Sequence, residues 1–305
     1  MVQGREFFEG LVRKFTDARE LTRKPLVSGV LGLTGLIIFV VVGVSAWKSI
    51  DLNTSGINWL LLVAVGLCGA FVSQSLNAIE FLLMARALHV RVALLGAFVI
   101  TVVGSAANQL PVPGSLAVRM SALKTRGVAF KSSALSSVVS ALMFLGLSFV
   151  GLSIALLSQS AVSLAFVFLA VAVGISGLGW TVAQKWAGWS RVDSLGMLFV
   201  EGLMVFVAGV RAWFFVVLLG LSASFSQLLA LSSGAAISTT VGILPAGLGL
   251  TELLAGVVAI AVGLGAAFGL LIAAIDRVFR MAFLAVATVV LLLTGNFTSD
   301  KSAGS

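Results

Sequence analysis

Long runs of apolar residues recur along almost the whole chain and are separated by short polar stretches. Each run has roughly 20 residues or more, the length a helix needs to cross a hydrocarbon core of about 30 Å. The pattern therefore predicts an all-α polytopic membrane protein and leaves no room for a soluble domain between the runs. The predicted segments are 26–47, 58–85, 92–118, 132–158, 161–181, 194–220, 226–264 and 266–293.

Two of these segments are interrupted by helix-breaking residues. Proline ends helices and glycine weakens them, and the freed backbone groups are tolerated at membrane depth only beside protein or water. Free amides at the start of a helix can also bind an anion. The interrupting residues with predicted roles are Asn108, Pro111 and Gly114 in the third segment and Pro245, Gly247 and Gly249 in the seventh.

The distribution of Lys and Arg indicates how the interrupted segments lie in the membrane. If every segment crossed once from a cytoplasmic N-terminus, seven basic residues outside the spans would face the wrong side. If the third and seventh segments are hairpins that enter and leave by the same face, fifteen face the cytoplasm and only Lys48 faces outside. The sequence thus predicts two helical hairpins, near 92–126 and 226–264. The first is expected to be re-entrant or buried in protein, and the second is either shallow or crosses fully and returns.

The order of segments repeats after a shift of about 134 residues. The first repeat is predicted at 26–158 and the second at 159–293, and each contains three spans and one hairpin. Because three is odd, the second copy is inverted relative to the first. Inverted repeats with broken helices are typical of secondary transporters, whose site lies near the midplane between the repeats.

The two ends of the chain are polar. Residues 1–25 combine an apolar helical stripe with basic residues, which predicts a cytoplasmic amphipathic segment at the membrane interface that is retained in the mature protein. Residues 294–305 are predicted to be a cytoplasmic tail. The positive-inside rule therefore places both termini in the cytoplasm, and the protein in the cell (inner or cytoplasmic) membrane.

Composition excludes several classes of chemistry. The chain is 60% hydrophobic and 10% charged, and it has one histidine, His89, and one cysteine, Cys68. We therefore expect no Cys/His metal cluster, no disulfide framework and no cofactor, and the absence of a phosphate-binding loop motif argues against direct use of ATP. The net charge of +8 is attributed to topology and lipid contact rather than to nucleic acid. Without a histidine placed to activate a serine, we expect no enzyme activity.

Charged residues inside apolar segments are the main candidates for function, because unpaired charge there is costly. One hypothesis is a hydrated basic cavity between the hairpins, where arginines bind a phosphate headgroup and Glu252 tunes the site and senses protons. The alternative is that these groups pair with one another, for example Glu252 with an arginine, and only hold helices together. The arginines concerned are Arg119, Arg211, Arg277 and Arg280.

Other polar residues have weaker predicted roles. Glu80 and Glu201 also lie in apolar segments and are candidates for function, but they are nearer the ends of spans, where the alternative is that they simply reach water. Gln74, Asn77 and Gln109 are expected either to line the cavity or to form hydrogen bonds between helices. Asp276 is expected to neutralise Arg277 or Arg280 in part, and Cys68 to be a small packing residue.

The interrupted segments resemble the flippase-like membrane family that includes the transmembrane region of lysylphosphatidylglycerol synthases. The likeness covers about residues 26–293. It implies a polytopic domain that moves an aminoacylated phospholipid, or in other members a different lipid or lipid-linked sugar, between leaflets. The matching residues are 108–114 (Asn-Gln-Leu-Pro-Val-Pro-Gly) with Arg119 and Gly127, 244–252 (Leu-Pro-Ala-Gly-Leu-Gly-Leu-Thr-Glu), and Arg277.

The sequence therefore predicts a translocase for a membrane phospholipid or a polyprenyl-phosphate-linked lipid, with no nucleic-acid partner. Two alternatives remain open: a secondary transporter of a small soluble anion, and a noncatalytic membrane partner of a separate lipid-modifying enzyme. The small-residue pattern of Gly29, Gly32 and Gly35 fits either a homo-oligomer or internal packing.

Overall fold

The structure is a computed structural model of the 305-residue chain. It describes residues 37, 40–41, 43–50, 54–108, 114–241 and 250–294. The predicted N-terminal segment 1–25, the tail beyond residue 294 and the tips of both interrupted segments lie outside the described residues, as do Gly29, Gly32 and Gly35.

Within the described residues the fold consists of helices and contains no strand, which confirms the all-α prediction. Residues 43–49 are helical, and a short 3-10 helix covers Thr54–Gly56. The helices that follow are α1 (Trp59–Ala87), α2 (Leu94–Ala107), α3 (Gly114–Lys124), α4 (Phe130–Ser158), α5 (Val162–Lys185), α6 (Arg191–Leu218), α7 (Phe225–Val241), α8 (Leu250–Ala261) and α9 (Ala266–Leu293).

Among the described residues, four helices are long and apolar enough to cross a membrane: α1, α4, α5 and α6. Helix α9 is also long, with 28 residues, but Asp276, Arg277 and Arg280 interrupt its apolar sequence. The third and seventh predicted segments each contain two shorter helices, α2 with α3 and α7 with α8. None of these four reaches the roughly 20 residues that a full crossing requires.

Local capping fixes where two of the long helices begin. The Asn58 side chain accepts a hydrogen bond from the Leu61 amide at 3.0 Å before α1, and Ser190 does the same for the Asp193 amide at 3.1 Å before α6. Asp193 lies in the first turn of α6, where its negative charge interacts favourably with the positive end of the helix dipole. It also forms an ion pair with Arg86 near the end of α1. The end of α1 is thereby joined to the start of α6.

The helices pack in a network in which most pairs have a counterpart. Helix α1 packs along α6, α2 against α3, and α7 against α8. The α1–α2 contact has a counterpart in α6–α7, and α4–α6 in α9–α1. Likewise α4–α7 corresponds to α9–α2, and α3–α4 to α8–α9. If α1, α2, α3 and α4 are exchanged with α6, α7, α8 and α9, respectively, most of the contacts between helices are therefore reproduced.

Two apolar clusters lie at opposite ends of α1 and α6. The first combines the end of α1 and the start of α6 with residues near the outer ends of the α2–α3 pair, including Ala97 and Leu123. The second combines the start of α1 and the end of α6 with residues of the α7–α8 pair, including Leu228 and Ala259. Each short helix pair therefore begins and ends near one apolar cluster, and the two pairs use different clusters.

Candidate functional site

An acidic cluster, formed by Glu80, Arg119, Ser140 and Glu201, lies where α1, α3, α4 and α6 meet. Both terminal nitrogens of Arg119 donate to the two carboxylate oxygens of Glu80 at 2.8 Å. The Ser140 hydroxyl lies 2.6 Å from Glu80 Oε1 and 2.8 Å from Glu201 Oε1. Glu80 and Glu201 are almost completely buried, at 5% and 1% exposed. This cluster therefore contains two carboxyl groups and one cation.

A basic cluster, formed by Arg211, Glu252, Asp276, Arg277 and Arg280, joins α6, α8 and α9. Glu252, in the first turn of α8, lies 2.9 Å through Oε1 from Arg277 Nε. Both side chains are buried, so this pair attaches the short helix α8 to the long helix α9. The hydroxyl groups of Thr251 and Ser238, 2.7 Å apart, connect α8 to α7.

Asp276 connects the other two arginines of the basic cluster. It forms ion pairs with Arg211 and, at 2.9 Å, with Arg280 one turn further along α9. Arg211 also donates to the Gly69 carbonyl at 3.1 Å and to the Ser73 hydroxyl at 2.6 Å, both on α1. A Cβ atom on Gly69 would lie 2.6 Å from the Arg211 side chain, so the glycine makes room for it.

A cavity of about 120 Å³ lies beside the ion pairs that Asp276 forms with Arg211 and Arg280. Arg211, Asp276, Arg280 and Ser232 line its polar side, and the other lining residues are mainly apolar, with Phe144, Leu231 and Ile272 the largest. Since a water molecule occupies about 30 Å³ in the liquid, the space has room for only a few waters. It offers two guanidinium groups, both paired with Asp276, next to a small open volume.

The predicted arginines are not gathered in one cavity. Arg211 and Arg280 line the cavity, whereas the structure pairs Arg277 with Glu252 and places Arg119 in the acidic cluster. Three arginines and two carboxylates give the basic cluster one net positive charge when all are ionised. The predicted pairing of Glu252 with an arginine is present, and Asp276 neutralises Arg280 together with Arg211.

The residues predicted at the hairpin tips are described only in part. Asn108 ends α2, and its side-chain oxygen accepts a hydrogen bond from the Ser115 amide at 2.7 Å in the first turn of α3. Gly114 begins α3 and is buried, and a Cβ atom there would collide with Ala107 of α2. These contacts bring the two helices together directly beside the break. Pro111, Pro245, Gly247, Gly249 and Gln109 lie outside the described residues.

The alternative that Glu80 and Glu201 simply reach water is wrong. Both lie about three turns or less from a helix end, but neighbouring helices cover them and Ser140 bridges them. The signal in the sequence was a polar stripe on α1, where Ser73, Asn77 and Glu80 are spaced four and three residues apart. Such a stripe in an apolar helix faces a polar interior rather than lipid.

Two lesser predictions had different outcomes. Gln74 on α1 accepts a hydrogen bond from Ser105 on α2 at 3.3 Å, which confirms the prediction of a contact between helices. Cys68 is exposed, so the prediction that it packs inside the protein was wrong. Among the side chains that the structure describes, no three His, Cys, Asp or Glu residues converge as metal ligands.

Comparison with known proteins gives no family assignment. Neither a protein-family model nor a curated protein sequence matches this chain.

Proposed function

We propose that this protein is a translocase that moves a phospholipid or a lipid-linked headgroup between membrane leaflets. The observation that carries the proposal is the cavity that Arg211 and Arg280 line among mainly apolar residues. Guanidinium groups bind phosphate oxygens through paired hydrogen bonds, and charged groups at membrane depth generally mark a transport path. The resemblance in the interrupted segments favours the same function.

The helix packing supports an inverted repeat. Exchanging α1–α4 with α6–α9 reproduces most of the contacts between helices, as expected for two copies of one unit. The α2–α3 pair has its outer ends at one apolar cluster and the α7–α8 pair at the other, as expected for hairpins that enter from opposite faces. The cavity is lined by α4, α6, α7, α8 and α9, and thus by both proposed repeats.

A phosphate group would bind by displacing the Asp276 carboxylate from the arginines with which it is paired. Asp276 holds Arg211 and Arg280 in this state, and a phosphate group competes with it for the same donors. Because the cavity holds only a few waters, passage of a headgroup requires α9 to move away from α6 or α7. The acyl chains stay in the bilayer, beside exposed apolar residues such as Phe206 and Val278.

The small volume of the cavity favours a second candidate. A space of about 120 Å³ suits a small soluble anion without further opening. A soluble-anion transporter would use the same arginines but would need no path for acyl chains. Since the chain has no phosphate-binding loop motif for ATP, either transport would be downhill or coupled to an ion. We further propose the cytoplasmic membrane with both termini inside, from the positive-inside rule.

Reconstitution tests the proposal. The purified chain is placed in vesicles that carry headgroup-labelled phosphatidylglycerol, lysyl-phosphatidylglycerol or a polyprenyl-phosphate sugar, and an impermeant quencher reports the accessible fraction. We expect wild type to expose the inner-leaflet label, Arg211→Gln to abolish this exposure, and Arg86→Gln at the exposed end of α1 to leave it unchanged. Protection of every lipid together with uptake of free phosphate would instead identify the soluble-anion transporter. If the purified chain neither translocates a lipid nor takes up phosphate, it does not act as a transporter by itself.

A further inference from the structure

The hydrogen bonds of the acidic cluster do not balance if both glutamates are ionised. An ionised carboxylate only accepts hydrogen bonds, and a serine hydroxyl has a single proton to donate. Ser140 nevertheless lies within hydrogen-bond distance of Glu80 at 2.6 Å and of Glu201 at 2.8 Å. Both contacts are satisfied when one of the two carboxyl groups carries a proton and donates it to the serine.

The partners of the two glutamates decide which one carries that proton. Both oxygens of Glu80 accept hydrogen bonds from Arg119, so its negative charge is neutralised by a bidentate cation. Among the residues that the structure describes, no cation pairs with Glu201 in this way; the side chain is 1% exposed, and its Oε2 atom has no hydrogen-bond partner there. A buried carboxyl group without a cation is far less costly when neutral. The proton therefore belongs to Glu201 Oε1, which donates to Ser140, and Ser140 donates to Glu80.

Charges on the surrounding helices leave this assignment intact. Glu80 from α1 and Arg119 from α3 are the charged groups that act on Glu201. Helix α7 carries no charged residue, and those of α4 and α5 are Lys131 and Lys185 at the helix ends. The charges of α9 belong to the basic cluster together with Arg211, which lies ten residues from Glu201, roughly 15 Å along α6.

We propose that Glu201 is a proton-binding site, whose bound proton holds α6 to α4 through Ser140. When the proton leaves to water, two carboxylates share one hydroxyl proton, and the contact between Glu201 and Ser140 breaks. This contact lies close to the cavity, because Phe144 is one turn from Ser140 and Ala208 is two turns from Glu201, and both line it. Glu252, which we expected to sense protons, has Arg277 as a counter-charge.

Infrared spectroscopy of the purified full chain tests the proton site without any transport measurement. A protonated carboxylic acid has a carbonyl band that a carboxylate lacks. We expect this band at neutral pH in wild type, its loss in Glu201→Gln, and its retention in Asp193→Asn, which changes a carboxylate of the same helix that pairs with Arg86. Raising the pH is expected to remove the wild-type band. A band that Glu201→Gln leaves unchanged, or no band at any pH, would overturn the proposal.

A second variant keeps the test decisive if Glu201→Gln does not fold. Ser140→Ala removes the hydrogen-bond acceptor but leaves the acid, so the band is expected to shift rather than disappear. An unshifted band would place the proton on another residue and overturn the assignment.

Coupling of this proton to transport rests on the proposed function and has its own measurement. We expect lipid translocation by wild type to depend on pH and translocation by Glu201→Gln to be independent of pH, since the amide mimics the protonated acid. A pH dependence retained in Glu201→Gln would overturn the coupling. A correct infrared result without translocation by wild type would instead reject the proposed function and leave the proton site standing.

Discussion

The acidic and basic clusters occupy similar places in the two halves of the described chain but have opposite charge balance. In the first, Arg119 of the short helix α3 pairs with Glu80 of the long helix α1. In the second, Glu252 of the short helix α8 pairs with Arg277 of the long helix α9. Each short helix is thus attached to a long one by a buried ion pair, with the signs reversed.

Each cluster also contains charged side chains outside these two ion pairs. These further side chains differ between the clusters, and in our account they determine what each cluster binds. The acidic cluster has a second carboxyl group, Glu201, that is compensated by a proton in our account. The basic cluster has two further arginines that share Asp276 and line a cavity. In our account the same structural device therefore provides a proton site in one half and a proposed phosphate site in the other.

The largest effect is expected from breaking the pair between α8 and α9. Glu252→Gln leaves the buried Arg277 without its carboxylate, which we expect to cost about 3–5 kcal/mol of unfolding free energy. Denaturation of the purified protein in mixed micelles measures this loss.

A double variant separates the charge from the packing. Adding Arg277→Gln removes the cation that Glu252 neutralises in wild type, so we expect the double variant to recover most of the stability lost in Glu252→Gln. If the double variant is no more stable than the single one, the ion pair is not what attaches α8.

The corresponding change in the acidic cluster is expected to be smaller. Arg119→Gln leaves the buried Glu80 carboxylate without its bidentate cation and should cost about 3 kcal/mol of unfolding free energy. Denaturation under the same conditions as for Glu252→Gln measures this loss, and a variant as stable as wild type would contradict the role of the pair.

The smallest effect on stability is expected where α1 makes room for Arg211. The new methyl group of Gly69→Ala must displace the Arg211 side chain, which we expect to cost about 1–2 kcal/mol. Because Arg211 lines the cavity, translocation should fall far more than stability does. Gly174→Ala on α5 is the matched control, since a Cβ atom there has no neighbour within 4 Å. If Gly69→Ala and Gly174→Ala translocate lipid equally well, Arg211 does not contribute to the transport path.

Much of the helical architecture follows from patterns that are local in sequence. The predicted segments 58–85, 132–158 and 266–293 match α1, α4 and α9 within a few residues, because an apolar run of sufficient length has few other solutions in lipid. The breaks in the third and seventh segments were marked by proline and glycine, and each of these segments contains two helices.

Pairing between charges was much less predictable. Sequence alone singled out Arg119 and Arg277, but it left open whether Glu80 is functional or reaches water. Its distance from the helix end does not show which neighbouring helix covers the side chain. The sequence did not single out Ser140, since its role appears only when Glu80 and Glu201 approach from two other helices. Long-range contacts of this kind depend on tertiary packing that no local pattern specifies.

We infer that the two halves are inverted, so that the α2–α3 and α7–α8 pairs open to opposite sides of the membrane. Single cysteines at Thr125, just after α3, and at Gly265, just before α9, in a Cys68→Ser background test it with an impermeant thiol reagent. We predict that Gly265→Cys reacts in intact cells and that Thr125→Cys reacts only in inside-out vesicles. Reaction of both cysteines from the same side would contradict the inverted arrangement and the transport path built on it.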